Sequence, residues 1–168
     1  CARLENKNKF DLVIDCIPSL VAKYPDLLWC VIGDGDARVS LQKKAEAMGV
    51  SDHIKWVGAV YGQQALAPWL MSSECMVHPG AIGLSLMHAM GYALPVITHN
   101  NNEKQMPEIA ALENGVNGLT YIEGETESLC DSILQLLNDR SMQEKLSSNA
   151  LITVAENYNT EIMAEKFI

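Results

Sequence analysis

The stretch that decides the fold is Pro79-Gly80-Ala81-Ile82-Gly83-Leu84-Ser85-Leu86-Met87-His88-Ala89-Met90, continuing through Gly91-Tyr92-Ala93-Leu94 to Pro95-Val96-Ile97-Thr98. Before it lies a short apolar run, Cys75-Met76-Val77-His78, that reads as a strand; Leu84 to Met90 reads as a helix, and Pro95 to Thr98 as the next strand. Strand, glycine-bearing turn, short helix, strand is the repeating unit of a parallel sheet. The turn is also where a ligand is expected. Gly80 and Gly83 let a ligand come close to the backbone, and the amides of Gly83, Leu84 and Ser85 stand at the positive end of the helix. Helical side chains lean toward the N-terminus, so His88, one turn on, points back at the same place. Taken alone, the pattern leaves two readings open: a phosphate site, or a plain turn with His88 as a satisfied core histidine.

Working outward, the same rhythm repeats. Asp11 to Tyr24 reads as a helix kinked at Pro18. Leu27 to Ile32 is apolar at every position, as in a strand buried on both faces, and ends at Gly33-Asp34-Gly35-Asp36. Val39 to Met48 is helical with Gly49 as its C-cap, Ile54 to Val57 is a strand ended by Gly58, and Gln63 to Met71 is a weak helix interrupted by Pro68. Beyond Thr98 come a polar loop from His99, a strand over Gly118 to Ile122, and helices over Thr126 to Asn138 and Met142 to Tyr158. Ser141 and Glu144 offer a capping box for the last helix, and Leu146, Ala150 and Val154 a packing stripe. The expected fold class is α/β: a Rossmann-like, doubly wound parallel sheet with helices on both faces, in one domain spanning 1–168. In such sheets ligands bind outside the carboxyl ends of the strands, and Gly33 to Asp36, Gly58, Pro79 to Gly83 and Thr98 to Asn102 all fall there.

Composition sets the boundaries. The 168 residues are 48% hydrophobic and 20% charged, which suits a folded core and not a disordered chain. Acidic residues exceed basic ones by 21 to 12, a net charge of −9 that argues against a nucleic-acid partner. No apolar run approaches membrane-spanning length, and no secretory leader opens the chain. A start at Cys1 and not at Met reads as a piece of a longer protein. The five cysteines are odd in number and widely spaced, which reads as free thiols in a reducing, cytoplasmic setting. Three tempting signals fail. Asp34-Gly35-Asp36 spells a metal–diphosphate D-x-D but follows a parallel strand; the four histidines lack zinc spacing; Gly33-x-Gly35 lacks the rest of a dinucleotide fingerprint. No metal or cofactor is therefore expected. Trp29, Trp56 and Trp69 read as core, with Trp56 alternatively bordering a base pocket.

The stretch resembles the signature of the family-4 retaining glycosyltransferases of GT-B fold, P-x-x-x-E-G-F-G-L-x-x-x-E-A-M-A-x-G-x-P-V-I. Further matches follow in order: Ala2-Arg3-Leu4 with Lys7, Lys9 and Phe10-Asp11-Leu12; Ile32-Gly33-Asp34-Gly35; Trp56-Val57-Gly58; Met106-Pro107-Glu108; and Asn114-Gly115-Val116-Asn117-Gly118-Leu119. The resemblance implies the C-terminal, nucleotide-sugar donor domain of a two-domain enzyme. Arg3 and either Lys7 or Lys9, with Lys9 preferred, would stabilise the departing diphosphate as catalytic groups, since charge builds there in an oxocarbenium-like transition state. Gly33, Gly58, Gly80, Ile82, Gly83, Leu84, Ser85, His88, His99, Asn100 and Glu108 complete the implied donor site, with Lys7 beside them. Two positions depart from the pattern. Gly80 replaces the first glutamate, leaving the sugar without that contact, and His88 replaces the second, with less acceptor capacity for the ribose; the loop with His99 and Asn100 is expected to make up the sugar contacts. The implied activity is hexose transfer from a nucleoside-diphosphate sugar to a glycan or lipid-linked glycan, such as a bacterial lipopolysaccharide. Acceptor and any membrane contact would fall to an N-terminal domain absent from this chain, and the isolated piece would transfer poorly. The alternatives are an epimerase of the same fold and a non-catalytic binding module.

Overall fold

The computed structural model describes residues 2–158. Among them are five strands, β1 (Trp29–Ile32), β2 (Ile54–Gly58), β3 (Met76–His78), β4 (Val96–His99) and β5 (Gly118–Tyr121). Six α-helices accompany them, α1 (Asp11–Val21), α2 (Arg38–Ala47), α3 (Gln63–Met71), α4 (Ser85–Gly91), α5 (Thr126–Asn138) and α6 (Arg140–Asn157), alternating with the strands as far as β4; β4 and β5 are joined by two 3-10 turns, and α5 and α6 follow β5. Every pairing is parallel, β1 with β2 and β3–β4–β5 in that order. The α/β expectation holds, but the strands form two hydrogen-bonded groups and not one continuous sheet.

Successive residues of a strand face opposite sides, and the core shows it. Val96 packs with Leu70 of α3, Leu86 of α4 and Ala150 of α6, whereas Ile97 packs with Val13 of α1 and Leu129 and Ile133 of α5. Helices therefore cover both faces. A third cluster joins Leu4, Ile14, Ile17, Val31 and Ile54, and Trp56 packs against it with its ring edge-on to Trp29, 6.4 Å away, so Trp56 belongs to this core.

Several boundaries differ from the sequence reading. β1 is shorter than Leu27 to Ile32, and Leu28 is half exposed. α1 ends at Val21 and runs through Pro18; α3 likewise runs through Pro68. Both prolines are exposed, as is Gln64, whose carbonyl Pro68 leaves without its usual donor. α6 begins at Arg140, capped by Asp139, whose carboxylate accepts from the Met142 amide at 2.9 Å, and not by Ser141. The four described cysteines, Cys16, Cys30, Cys75 and Cys130, are free thiols, and burial pushes Cys16 up to about 12. Among the described residues no helix is long and apolar enough to cross a membrane.

Candidate functional site

The carboxyl ends of β1, β3 and β4 gather three segments. The first is an amino-terminal arm. Its Ala2 amide donates to the Ile32 carbonyl at 3.0 Å and its Leu4 amide to the Asp34 carbonyl at 2.9 Å. The arm then makes a 3-10 turn over Asn6–Asn8. Asn8 is buried and donates to the Arg3 carbonyl at 2.7 Å, so it holds the turn closed, and Lys9 leaves it in the left-handed region at φ 54°.

This arm explains two glycines differently from the sequence reading. A Cβ on Gly80 would stand 2.5 Å from the Asn8 Cα and 2.8 Å from the Lys7 carbonyl oxygen. A Cβ on Gly33 would fall on the Ala2 carbonyl oxygen. Both spaces belong to the arm, not to a ligand. A glutamate at position 80 does not fit unless the arm moves. Gly58 is set one strand further out, its carbonyl accepting from the Gly33 amide at 2.8 Å.

The second segment is the Pro79–Ser85 turn, fixed by buried hydrogen bonds. The Tyr121 hydroxyl donates to the Pro79 carbonyl at 2.8 Å, and the Thr98 hydroxyl to the Gly80 carbonyl at 3.3 Å. His78 Nδ1 lies 3.1 Å from that same carbonyl. Burial pushes His78 down to about 4, so the ring is neutral near pH 7 and its Nδ1–H is the donor. Gln105 completes the frame: its Oε1 accepts from the Ile82 amide at 2.8 Å, and its Nε2 donates to Thr98 Oγ1 and the His99 carbonyl. Sequence reasoning does not single out His78, Gln105 or Tyr121, and includes Thr98 only within the strand-end stretch Thr98 to Asn102. Their polarity in apolar strands, and in the polar loop after β4, is the available signal.

The open part of the turn is smaller than expected. Ile82 is fully buried and its amide is already engaged by Gln105. Ser85 has a partner of its own, whereas the Gly83 and Leu84 amides have none among the described residues. α4 has only seven residues, so its dipole adds little here. His88 is exposed on α4, which removes the core-histidine reading.

Loop residues expected to reach a sugar are occupied otherwise. His99 is buried, and its Nδ1 accepts from the Asn101 amide at 3.2 Å. Asn100 is exposed, and its side-chain oxygen accepts from the Glu123 amide. The third segment supplies a different group. Glu108, in the 3-10 turn Pro107–Ala111, presents a buried Oε2 that has no hydrogen-bond partner among the described residues, 4.0 Å from where a Gly83 Cβ would stand. At Gly83 itself the nearest contacts of such a Cβ are ordinary, so the protein's own packing does not require glycine there.

Charge is distributed unevenly around these segments. Arg3 and Lys7 both pair with Glu5, at 3.4 and 2.7 Å, and both are largely exposed. Lys9 is exposed and carries no ion pair among the described residues. Asp34 is paired with Arg38 at 3.5 Å. No three His, Cys, Asp or Glu side chains cluster as metal ligands among the described residues.

Residues 1–152 match the family model described as glycosyl transferases group 1. The chain belongs to that family. Among curated relatives of this group 1 glycosyltransferase domain are an alpha-D-kanosaminyltransferase of Streptomyces kanamyceticus, 22% identical over 94% of this chain and 40% of that protein, and a lipopolysaccharide core biosynthesis glycosyltransferase, LpsE, of Rhizobium meliloti, 23% identical over 99% of this chain and 46% of that protein. The chain thus spans less than half the length of these relatives. Among solved structures, a mutant of TarM from S. aureus, in complex with Fondaparinux, alpha-GlcNAc-glycerol and UDP, superposes with a TM-score of 0.87 at 22% identity, over 99% of this chain and 33% of that one. The fold is that of the C-terminal domain of GT-B glycosyltransferases.

Proposed function

We propose that this domain binds a nucleoside-diphosphate sugar and that the full-length protein is a retaining glycosyltransferase, moving a hexose or related sugar to a glycan or lipid-linked glycan. The observation that carries the reading is the unpartnered, buried carboxylate oxygen of Glu108 beside Gly83. A buried acceptor without a donor costs stability, on the order of 1–3 kcal/mol, and a protein keeps such a group where a ligand supplies the donor. Sugar and ribose hydroxyls are donors of that kind. The free amides of Gly83 and Leu84 suit the diphosphate, and Lys9, Arg3 and Lys7 the charge that builds on it as the sugar departs. Glu108 takes over the acceptor role that the glycine at position 80 cannot play, with His88 at the rim of the same turn. The structural relative crystallised with UDP makes a uridine nucleotide the first donor to try. No metal enters this scheme. The acceptor and any membrane surface belong to an N-terminal domain outside this chain.

The test is Glu108→Ala, followed by thermal melting with and without UDP-, GDP-, ADP- and CMP-sugars. Removing the unpartnered carboxylate raises the Tm of the unliganded chain, while the rise given by the cognate sugar nucleotide disappears. An undiminished ligand-induced rise in the variant sinks the reading.

A further inference from the structure

The loop between β4 and β5 meets the Pro79–Ser85 turn at neighbouring points. Met106 Cγ and Glu108 Oε2 lie 3.7 and 4.0 Å from where a Gly83 Cβ would stand. Gln105, just ahead of them, bonds to the turn itself, its Oε1 accepting from the Ile82 amide at 2.8 Å. The carbonyls of Pro79 and Gly80 are held from the strands, by Tyr121 and by Thr98 and His78. On the amide side, among the described residues from Gly80 to Leu84, Ile82 is the one whose amide a side chain holds. The free amides of Gly83 and Leu84 come next in the chain. A peptide unit is planar, so each residue passes direction to the next through φ and ψ alone. With the Ile82 amide bonded and its side chain fully buried, only its ψ stands between a fixed peptide and the Gly83 amide.

The Gln105 amide group is itself locked. Its Nε2 donates to Thr98 Oγ1 at 2.9 Å and to the His99 carbonyl at 3.0 Å. Turned over, it would set its NH2 against the Ile82 N–H and its oxygen against the His99 carbonyl, so one orientation alone satisfies all three partners. The bonds run in one direction, from Ile82 to Gln105, from Gln105 to Thr98 and from Thr98 to the Gly80 carbonyl. They leave the turn at one peptide and return to it at another, which makes a closed ring. The loop beneath Gln105 is strapped to the end of β5. Lys104 Nζ lies 3.0 and 3.1 Å from the two carboxylate oxygens of Glu123, and Asn101 Nδ2 donates to one of them at 2.6 Å.

We propose that Gln105 is a positioning residue of the donor site. It holds the Gly83 and Leu84 amides and the Glu108 carboxylate in one register, the amides for the diphosphate and the carboxylate for a hydroxyl of the sugar or ribose. Gln105 touches no ligand and acts through those groups, and Glu123 supports it one step further back. The assignment rests on the donor reading above and adds the residue that keeps its phosphate-holding and hydroxyl-holding parts together.

The experiment titrates the isotope-labelled chain with UDP, GDP, ADP and CDP and follows backbone amide resonances. In the wild-type chain the nucleotide that binds moves the Gly83 and Leu84 signals. Gln105→Met keeps the length and the unbranched shape of the side chain and removes its three bonds. It is expected to weaken that nucleotide by about tenfold or more, and to shrink the Gly83 and Leu84 shifts at saturation more than those elsewhere. Glu123→Ala cuts the strap at a partly exposed position and is expected to give a smaller loss, roughly two- to fivefold; it carries the test if Gln105→Met does not fold. Tyr24→Phe, which removes the bond from the Tyr24 hydroxyl to Asn138 outside the site, is expected to leave affinity and shifts unchanged. That control separates positioning from a general loss of stability. Wild-type affinity and wild-type Gly83 and Leu84 shifts in both loop variants overturn the assignment and leave the donor reading standing. A wild-type chain in which no nucleotide moves those two amides overturns the donor reading, and the assignment with it.

Discussion

Two walls of the same site are held by different physics. The Pro79–Ser85 wall is fixed by buried hydrogen bonds from His78, Thr98 and Tyr121 to its carbonyls, and by Gln105, whose Oε1 accepts from the Ile82 amide. The arm wall is fixed by its backbone and by Asn8, while its cationic side chains rest on exposed pairs with Glu5. Buried polar networks in a low dielectric are costly to disturb; exposed ion pairs contribute little and exchange partners easily. One wall therefore sets position, and the other is free to redirect charge toward an incoming anion.

Acid tests the rigid wall most severely. His78 has its folded pKa pushed down to about 4 by burial, so between the ordinary value near 6.5 and 4 the unfolded chain binds the proton first. Its stabilising share is complete above about pH 6.5 and is lost as pH falls toward 4, on the order of 3 kcal/mol at ~1.4 kcal/mol per pH unit. His99 is lowered by burial as well and acts in the same direction. Urea denaturation at pH 7 and pH 4.5 measures the loss, and His78→Asn is expected to flatten it. A pH-independent midpoint in the wild-type chain breaks the comparison.

The contact between the walls comes next. Gly80→Ala forces a Cβ against the Asn8 and Lys7 backbone and is expected to cost about 1–3 kcal/mol, as overpacking does. The companion change Gly83→Ala meets only ordinary contacts and is expected to leave the Tm nearly unchanged. Equal losses at both positions would mean that the arm does not lie on Gly80.

The smallest effect sharpens the comparison from the arm side. Glu5→Gln is expected to leave the Tm unchanged and to tighten UDP binding by roughly two- to tenfold, because Arg3 and Lys7 lose their competing carboxylate. Isothermal titration calorimetry at low and high salt checks it, with the gain shrinking at high salt. Weaker binding in the variant would make Glu5 part of the site and not a competitor.

The legibility of the site followed the same division. Strand-end glycines, the continuous apolar run ending at Ile32, and the alternation of short and long apolar segments were readable because periodicity and turn chemistry are local. Family membership was readable because several short motifs fell in order. The reason for each glycine was not. Gly80 and Gly83 look alike in sequence, yet one is covered by the arm and the other borders Glu108. His99 and Asn100 looked available because polarity says nothing about which side chain is already bonded; Gln105, from the same loop, is the one that reaches the turn.

By itself, then, the order of residues determined the element types, their parallel winding and the family, because these depend on spacings within a few turns of chain. Only the tertiary structure decided which polar groups are satisfied and which carboxylate oxygen stands unpartnered. Those outcomes rest on pairings between residues far apart in the chain, where hydrogen bonds and excluded volume act across space and leave no periodic trace.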